Sequence, residues 1–220
     1  MAWERSWHFL GGPGSWSYHL FDVQRRRLNR SLVDYLVSRA VSADESLVLE
    51  AGSGSGYGSS LFARHPKVKM SVALDVDLEA LQEGRRRDPN LTLVLADLHA
   101  LPFRSGVFDV VWNSSTLEHV ARPSGALSEM QRVVKGGGFV FVGVPFRFGP
   151  LGFQRFVAQT RLGVWIGSVF DQSSLNRLVI EGGLTPIETI TYFLACFIGV
   201  LSRKFTGASL RVRPATGISS

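Results

Sequence analysis

The sequence predicts an α/β fold: a doubly wound, mostly parallel, Rossmann-like sheet of seven strands with helices on both faces. Three observations predict it. Short apolar runs alternate with helix-length segments along residues 47–145, a glycine-rich turn joins the first run to a helix, and an acidic residue ends or follows the second and third runs. Strands separated by helices run parallel, because each helix returns the chain to the same end of the sheet.

The length and composition of the chain fit one globular domain. Its 220 residues are 45% hydrophobic, which is enough apolar material for a sizeable core. The one cysteine, Cys196, excludes an intrachain disulfide framework and a zinc site built on several cysteines, so a reducing, cytoplasmic compartment is expected. We expect no secretory signal, and no apolar run reaches the roughly 18 residues that a membrane-spanning helix needs.

The first half of the chain has the clearest periodicities. Leu28, Leu32 and Leu36 recur at helical spacing and predict a helix over residues 23–41 with an arginine-rich polar side. Beyond it, runs of apolar residues between polar turns indicate strands, and longer amphipathic segments indicate helices. We expect strands at 47–49, 70–74 and 91–96, with helices at 57–63 and 78–87 between them.

The second half continues the alternation and then becomes less regular. We expect a strand at 107–113, a helix near 124–134, a turn at 135–138 and a strand at 139–144. A glycine- and aromatic-rich excursion then covers residues 146–170. A helix at 173–181 and a β-like run at 186–191 follow it, and the glycine- and serine-rich end of the chain is expected to fray.

A glycine-rich turn lies between the first strand and the helix after it. Gly52, Gly54 and Gly56 can adopt backbone angles closed to other residues, and they let a ligand approach the main chain. Such a strand, turn and helix is typical of a nucleotide-binding sheet. Tyr57 stands at the sixth position counted from Gly52, so the pattern is not the G-x-G-x-x-G of dinucleotide sites. No lysine follows a glycine, which excludes a P-loop.

The charge beside this turn narrows the choice of nucleotide. Glu50 stands two residues before the first glycine, at the end of the strand. A carboxylate there would repel a pyrophosphate but attract a positively charged ligand. S-adenosylmethionine carries an ammonium and a sulfonium group and no phosphate. The electrostatics therefore favour S-adenosylmethionine, which leaves S-adenosyl-L-homocysteine after methyl transfer.

Several ordered blocks carry a resemblance to a known family. They read VLEAGSGSGYG from Val48, SVALDVD from Ser71, ADLHALPFRSGVFDVVWNSSTLEHV from Ala96 and EMQRVVKGGGFVFVGVP from Glu129. In these blocks the chain resembles the class I S-adenosylmethionine-dependent methyltransferases, in particular the type 11 methyltransferase family. The resemblance covers Leu47 to Pro145 and implies an S-adenosylmethionine cofactor and a methyltransferase activity.

The resemblance divides the chain into four parts of one methyltransferase domain. An N-terminal flap and helix occupy residues 1–41, and the cofactor-binding core occupies 42–145. Acceptor-side and C-terminal elements occupy 146–205, and a tail that we expect to be flexible occupies 206–220.

Carboxylates at the ends of the second and third strands are the main cofactor ligands that the resemblance implies. Asp75 lies 23 residues after Gly52, where a carboxylate can accept both ribose hydroxyls. The alternative, a helix-capping aspartate, suits Asp77 better. The resemblance implies that Asp97 accepts from the adenine amino group and that the main chain of Leu98 contacts the ring. The full predicted set is Glu50, Gly52, Ser53, Gly54, Gly56, Asp75, Val76, Asp97, Leu98, Asn113 and Ser114.

The residues after the fourth strand are the candidates for catalysis. Asn113 and Ser114 end that strand, which in this fold lies beside the methyl-bearing sulfur. Methyl transfer needs a base only if the acceptor carries a proton, and His119 is the candidate because histidine titrates near neutrality. Glu118 is the alternative base, and a purely structural role for both residues stays open. The histidines show no metal-ligand spacing, so we expect no metal.

The acceptor must be read from the less regular parts of the chain. Aromatic residues are frequent in 146–165, and Tyr192–Leu201 reads YFLACFIGVL, so we expect a small, hydrophobic acceptor. The apolar run has two other readings, a buried final strand or helix and a peripheral membrane contact.

The net charge of +6, with arginines clustered at 25–27 and 85–87, leaves an RNA methyltransferase open as an alternative function. A non-catalytic module of the same fold is a further alternative. Nucleic acid is the less favoured partner, because no Asn-Pro-Pro-aromatic run follows the fourth strand.

Overall fold

A computed structural model describes residues 16–41, 44–150 and 167–205. Its helices are α1 (Trp16–Ala40), α2 (Tyr57–Ala63), α3 (Leu78–Arg87), α4 (Pro123–Val133) and α5 (Gln172–Glu181), with a 3-10 turn at Leu117–His119. Its strands are β1 (Ser46–Ala51), β2 (Val68–Asp75), β3 (Thr92–Leu95), β4 (Phe108–Ser114), β5 (Val134–Pro145), β6 (Thr185–Tyr192) and β7 (Phe197–Arg203). The predicted flap at 1–15, the tail at 206–220 and residues 151–166 of the excursion lie outside the described residues.

The seven strands form one sheet in the order β3-β2-β1-β4-β5-β7-β6. Strands β1 to β5 are parallel, and β7 is antiparallel to both of its neighbours, β5 and β6. The predicted seven-stranded, mostly parallel sheet is confirmed. The strand order reverses direction between β1 and β4, and ligands of open α/β sheets bind at such a switch point, outside the carboxyl ends of the strands.

Helices cover both faces of the sheet, as predicted. Helices α4 and α5 bury Leu127 and Leu175 against one face, in a cluster that includes Leu49 and Val111. Helices α1 and α2 bury Leu36 and Phe62 against the other face, which contributes Trp112 and Phe141. Burial of these side chains on two faces supplies the main stabilising term of the fold.

Helix α1 runs along the sheet from the carboxyl ends of the strands to their amino ends. Its end at Ala40 shares a cavity with Ser46, at the amino end of β1. Farther back along the helix, the Arg26 guanidinium lies 5.5 Å above the ring of Tyr57, at the start of α2. The predicted helix began at residue 23, whereas the helix begins at Trp16. At about 1.5 Å per residue, its first turns therefore extend past the carboxyl edge of the sheet.

Strand β5 begins five residues earlier than predicted, because the glycine turn is part of it. Val134 pairs with Phe108, and the next regular pair joins Phe139 to Val110, so residues 135–138 form a bulge. A Cβ at Gly138 would lie 2.8 Å from the carbonyl oxygen of Asp109, which explains the glycine. Bulges of this kind bend a strand without ending its pairing.

The apolar run Tyr192–Leu201 consists of the last residue of β6, a turn and most of β7. Tyr192 ends β6, residues 193–196 form the β6–β7 turn, and Phe197–Leu201 belongs to β7 and is buried between β5 and β6. The buried-strand reading of this run is therefore confirmed for its second half. Within the described part of the chain, no helix is both long enough and apolar enough to cross a membrane.

Candidate active site

The glycine-rich turn has the backbone that only glycine adopts readily. Gly52, Gly54 and Gly56 have φ angles of 84°, 55° and 70°. A Cβ at Gly52 would lie 2.5 Å from Cγ2 of Thr116, whose hydroxyl donates to the Gly52 carbonyl at 2.9 Å. The turn is therefore in close contact with the segment after β4. No sequence signal marked Thr116, because its role depends on a neighbour 64 positions away.

Glu50 holds the start of α2. Its Oε2 accepts hydrogen bonds from the Ser59 N–H at 2.6 Å and the Ser59 hydroxyl at 2.7 Å. A carboxylate at the first turn of a helix satisfies an N–H group that has no partner within the helix, and it complements the helix dipole. The carboxylate is buried. Its described contacts therefore organise the turn, and a direct contact with the methionine end of the cofactor stays a prediction.

Asp75 joins the end of β2 to the glycine-rich turn. Its Oδ2 accepts from the Gly54 N–H at 2.6 Å, and its Oδ1 accepts from the Asp77 N–H at 2.9 Å. A carboxylate has about four acceptor sites, so two bonds leave it able to accept from a ligand as well. Val76, the next residue, is exposed beside it. Ser53 is also fastened here, because its N–H donates to the Leu74 carbonyl at 2.9 Å.

Asp97 begins the loop after β3 and is exposed, with 62% of its side chain open to solvent. Its Oδ1 accepts from the His99 main-chain N–H at 2.8 Å and lies 2.8 Å from Nδ1 of the same histidine. These hydrogen bonds, first from the main chain and then from the ring, hold the pKa of the Asp97 carboxyl below its usual range. Leu98, between them, is buried.

Asn113, a predicted cofactor contact, forms hydrogen bonds within the protein. Its side chain is fully buried. The amide nitrogen donates to the Ala51 carbonyl, and the amide oxygen accepts from the Leu117 N–H at 3.2 Å. Both ends of the amide are thus used within the protein, and the side chain joins β1 to the 3-10 turn. These contacts give Asn113 a structural role, and its contact with the cofactor stays a prediction.

Ser114 points to a neighbour that the sequence did not indicate. Its Oγ lies 3.1 Å from the hydroxyl of Tyr192, at the end of β6. Gly143 and Gly199 make room for that tyrosine, since a Cβ at Gly143 would lie 2.0 Å from the phenol oxygen. Burial, with the nearby Glu118 charge, raises the pKa of Tyr192 well above its usual range. The sequence signal for this contact was the pair of glycines, Gly143 in a predicted strand and Gly199 in the apolar run 192–201. A glycine at such a position often marks close approach of another group to the main chain.

The two candidate bases lie next to each other on the 3-10 turn. The Glu118 side chain is 1% exposed and the His119 side chain 24% exposed, and Nε2 of the histidine lies 3.8 Å from Oε1 of the glutamate. Ser114, Tyr192 and these two residues form one polar group at the carboxyl ends of β4 and β6. Within residues 16–41, 44–150 and 167–205, no cluster of three metal-ligating side chains occurs.

The match to a family model covers the glycine-rich turn, the ends of β2, β3 and β4, and the 3-10 turn, but not Tyr192. Residues 49–142 match a model described as a methyltransferase domain. A protein of Mycobacterium tuberculosis, named as a probable S-adenosylmethionine-dependent methyltransferase, is 34% identical over 176 residues, which are 78% of this chain and 60% of that protein. The demethylmenaquinone methyltransferase of Renibacterium salmoninarum is 39% identical over 120 residues, which are 54% of this chain and 48% of the relative.

The fold is shared with solved structures at lower sequence identity. Geranyl diphosphate C-methyltransferase from Streptomyces coelicolor, solved with S-adenosyl-L-homocysteine, superposes with a TM-score of 0.66 at 16% identity. The match covers 89% of this chain and 88% of that one. The aligned residues span about three-fifths of the length of the Mycobacterium protein and about half of the length of the Renibacterium protein.

Proposed function

Because the chain belongs to the class I S-adenosylmethionine-dependent methyltransferases, type 11 family, we propose that it transfers a methyl group to a small, apolar acceptor. The acceptor would lie at the carboxyl ends of β4 and β5 and the amino end of β7. The cofactor of the family is S-adenosylmethionine, whose sulfonium supplies an activated methyl group to an in-line nucleophile. The leaving sulfide needs no proton, so the protein's task is to position both partners and exclude water.

The described residues fit this cofactor at three points. The glycine-rich turn presents main chain without side chains, which suits a ligand that approaches it closely. The Asp75 carboxylate keeps acceptor sites for two ribose hydroxyls after its two protein contacts. Asp97 is exposed and ionised, and it can accept from the adenine amino group. Glu50 and Asp75 also make this edge negative, which disfavours phosphate-bearing nucleotides.

The observation that carries the choice of acceptor is a group of aromatic rings beside Ser114. Phe146 lies 5.7 Å from Phe148, and Phe197 lies 5.5 Å from Tyr192 and 6.4 Å from Phe193 (centroid distances). The main chain joins the two groups, because the Phe146 N–H donates to the Cys196 carbonyl at 2.9 Å. We call these five rings the aromatic edge. Such a surface favours an apolar ligand through burial of its nonpolar area.

Two relatives support acceptors of different polarity. The Renibacterium protein is named as a demethylmenaquinone methyltransferase, and a protein of Herminiimonas arsenicoxydans, 41% identical over 91 residues, as a malonyl-[acyl-carrier protein] O-methyltransferase. The aromatic edge favours the first class of acceptor, a hydroquinone-like molecule. An acceptor of this kind carries a hydroxyl proton. His119 with Glu118 would remove that proton, since both residues lie just after Ser114, which ends β4.

Radiolabelled methyl transfer tests the proposal directly. The protein is incubated with methyl-labelled S-adenosylmethionine and, separately, with a prenylated hydroquinone, a malonyl-acyl carrier protein and RNA. We expect label in the hydroquinone and not in RNA. An Asp75→Ala variant, which loses a predicted cofactor contact, is the control for background transfer. Label found only in RNA would support the RNA methyltransferase alternative, and cofactor binding without transfer to any acceptor would support the non-catalytic alternative.

A further inference from the structure

His99 lies in the loop after β3 and holds Asp97 from two directions. Its main-chain N–H and its Nδ1 both lie 2.8 Å from the same oxygen, Oδ1 of Asp97. On the other side of the ring, Nε2 lies 3.2 Å from the main-chain carbonyl oxygen of Arg122. The imidazole thus bridges the loop after β3 and the residue that precedes α4.

We infer that His99 is a positioning residue for the cofactor, and that the bridge it forms between Asp97 and Arg122 is complete only when both ring nitrogens carry a proton. The inference rests on the proposed contact between Asp97 and the adenine amino group. It adds to that contact a second residue and a dependence on pH.

The protonation state follows from the two partners of the ring. A carboxylate and a carbonyl oxygen are both acceptors, so each ring nitrogen can form its hydrogen bond only as a donor. A neutral imidazole has one donor and one acceptor nitrogen. Loss of a proton therefore leaves one ring lone pair facing an oxygen lone pair, on the Asp97 side or on the Arg122 side. Either case breaks one of the two links.

The bridge determines which part of Asp97 is available to a ligand. Both bonds from His99 end on Oδ1 and restrict rotation of the carboxylate about its last torsion. No described donor contacts Oδ2, within the ranges 16–41, 44–150 and 167–205. The Asp97 side chain is largely exposed, so Oδ2 is the oxygen that a ligand amino group can reach. The main-chain bond alone would hold the loop but would leave the carboxylate freer to turn.

The surroundings of the ring are rigid on the α4 side. A Cβ at Gly125 would lie 3.3 Å from Cδ2 of His99, so the ring packs directly on the first turn of that helix. The charged groups near the ring are the Asp97 carboxylate, which the ring contacts, and the Arg122 side chain, whose charge, with the hydrogen bonds from His99, lowers the pKa of that carboxyl. Helix α4 also holds the same loop farther on, because Glu129 accepts from the Leu101 N–H at 2.8 Å.

Binding of S-adenosyl-L-homocysteine, measured by calorimetry between pH 6 and 9, tests the inference. Three variants are compared with the parent chain: His99→Phe, which keeps a ring without donors, His99→Gln, which keeps one amide donor, and His65→Gln. His65 precedes β2, at the opposite end of the sheet from the cofactor turn, so its variant is the matched control. Any titration of the ligand itself affects all four proteins alike, so it cancels when the affinity of the parent is divided by that of a variant at the same pH.

We expect the parent to bind about three- to tenfold more weakly at pH 9 than at pH 6, as the loss of one hydrogen bond predicts. Both His99 variants should bind more weakly than the parent at pH 6 and show no such dependence, while His65→Gln should follow the parent. If His99→Phe does not fold, His99→Gln carries the comparison.

Two results would overturn the inference alone. One is equal affinity of the parent and the His99 variants at every pH. The other is an affinity of the parent that does not change between pH 6 and pH 9. No binding by the parent at any pH would instead overturn the assignment of the cofactor site, and the inference with it. These outcomes separate the role of His99 from the role of Asp97.

Discussion

Asp75 and Asp77 are two carboxylates, two positions apart, with different surroundings. Asp75 accepts from the main chain of the glycine-rich turn, whereas Asp77 accepts from the N–H groups of Glu79 and Ala80 at 2.9 and 3.1 Å and caps α3. The sequence predicts the ribose contact at Asp75 and the helix cap at Asp77. The cap is confirmed by the structure, and the ribose contact stays a prediction.

This pair offers a matched test at the residue scale. Asp77→Ala removes a helix cap and should lower the free energy of unfolding by about 1 kcal/mol without weakening cofactor binding. Asp75→Ala should weaken binding of S-adenosyl-L-homocysteine by about tenfold or more, because two ribose hydroxyls lose a charged acceptor. Calorimetric titration and urea unfolding measure the two effects. Equal loss of affinity in both variants would contradict the assignment of the ribose to Asp75.

A second residue-scale prediction concerns the space around the Tyr192 hydroxyl. Gly143→Ala places a methyl group 2.0 Å from that oxygen and should destabilise the protein by about 1–3 kcal/mol. Tyr192→Phe removes the oxygen, so the double variant should recover part of the loss. Unfolding of the four proteins in urea gives the interaction energy. If the effects of the two substitutions are additive, the close approach of the Tyr192 hydroxyl is not the reason that position 143 requires a glycine.

Some site residues could be predicted from the sequence and others could not. The glycines and Asp75 follow from local rules, since positive φ angles and strand ends are tied to neighbouring positions in the chain. Asn113 and Thr116 depend on partners 62 and 64 positions away. Residue type alone does not show whether a buried amide will bind a ligand or join two strands.

At the scale of elements, the ion pair of Glu129 and Arg132 in α4 forms hydrogen bonds with the main chain of the loop after β3. The Arg132 guanidinium donates to Glu129 at 2.6 and 2.8 Å, to the Leu101 carbonyl at 2.9 Å and to the Phe103 carbonyl at 2.7 Å. The hydrogen bonds from Arg132, with a further one from the Leu101 N–H, hold the pKa of the Glu129 carboxyl below its usual range. The loop that carries Asp97 is therefore anchored by α4 at several points.

The anchor predicts a specific loss of stability in acid. Because the folded pKa of Glu129 is below its unfolded value, the ionised form stabilises the fold. That contribution is present above the ordinary glutamate pKa of 4.5 and is lost as the pH falls through the lower, folded pKa. Glu129→Gln should be less stable than the parent at pH 7, and the difference should shrink below pH 4.5. Urea unfolding at pH 7 and pH 3 measures it, and a constant difference would contradict the prediction.

The β6–β7 turn is an element with unusual backbone geometry. Phe193, Leu194 and Ala195 have φ angles of 51°, 54° and 57°, and none of them is glycine. The left-handed region costs an L-residue about 1–2 kcal/mol. The turn nonetheless presents Leu194 to solvent with 90% of its surface exposed, next to the aromatic edge. Residues held in this region cluster at functional sites, which fits a place beside the acceptor.

Replacement of Leu194 by glycine separates stability from function. The Leu194→Gly variant should unfold at a slightly higher urea concentration, by about 0.5–1 kcal/mol, because strain is relieved. Its rate of methyl transfer to an apolar acceptor should fall. Leu95→Gly is the control, since Leu95 is also an exposed leucine but lies in β3, with φ outside the positive range, and should lose stability. Equal destabilisation of the two variants would contradict a strained turn.

At the scale of the whole molecule, the alternation of strands and helices predicted the parallel part of the sheet, because βαβ units are local along the chain. The place of the last strand could not be read in this way. β7 lies between β5 and β6, and nothing local distinguishes that position from the edge of the sheet. Its uninterrupted apolar sequence was the only signal, since a strand buried on both faces does not alternate.

The position of β7 predicts how the molecule tolerates shortening. A chain that ends at residue 196 lacks the strand that pairs with both β5 and β6. It should aggregate, because two strand edges and a buried apolar surface are left open. A chain that ends at residue 205 keeps all seven strands and should unfold at nearly the same temperature as the full chain. Size-exclusion chromatography and circular dichroism compare the two, and a monomeric, folded 1–196 chain would contradict the prediction.

The same strand order has a consequence for synthesis of the protein in the cell. Pro145 ends β5 and Arg203 ends β7, and the 58 residues after Pro145, through Arg203, take roughly 3 to 12 s to translate at about 5–20 residues per second. Throughout that interval β5 can fold onto β4 but has no partner on its other side. Each ribosome therefore carries a nearly complete sheet with an open edge, and neighbouring nascent chains on one messenger RNA present the same edge to one another. Slower translation of the codons for residues 146–203 should increase aggregation of this protein.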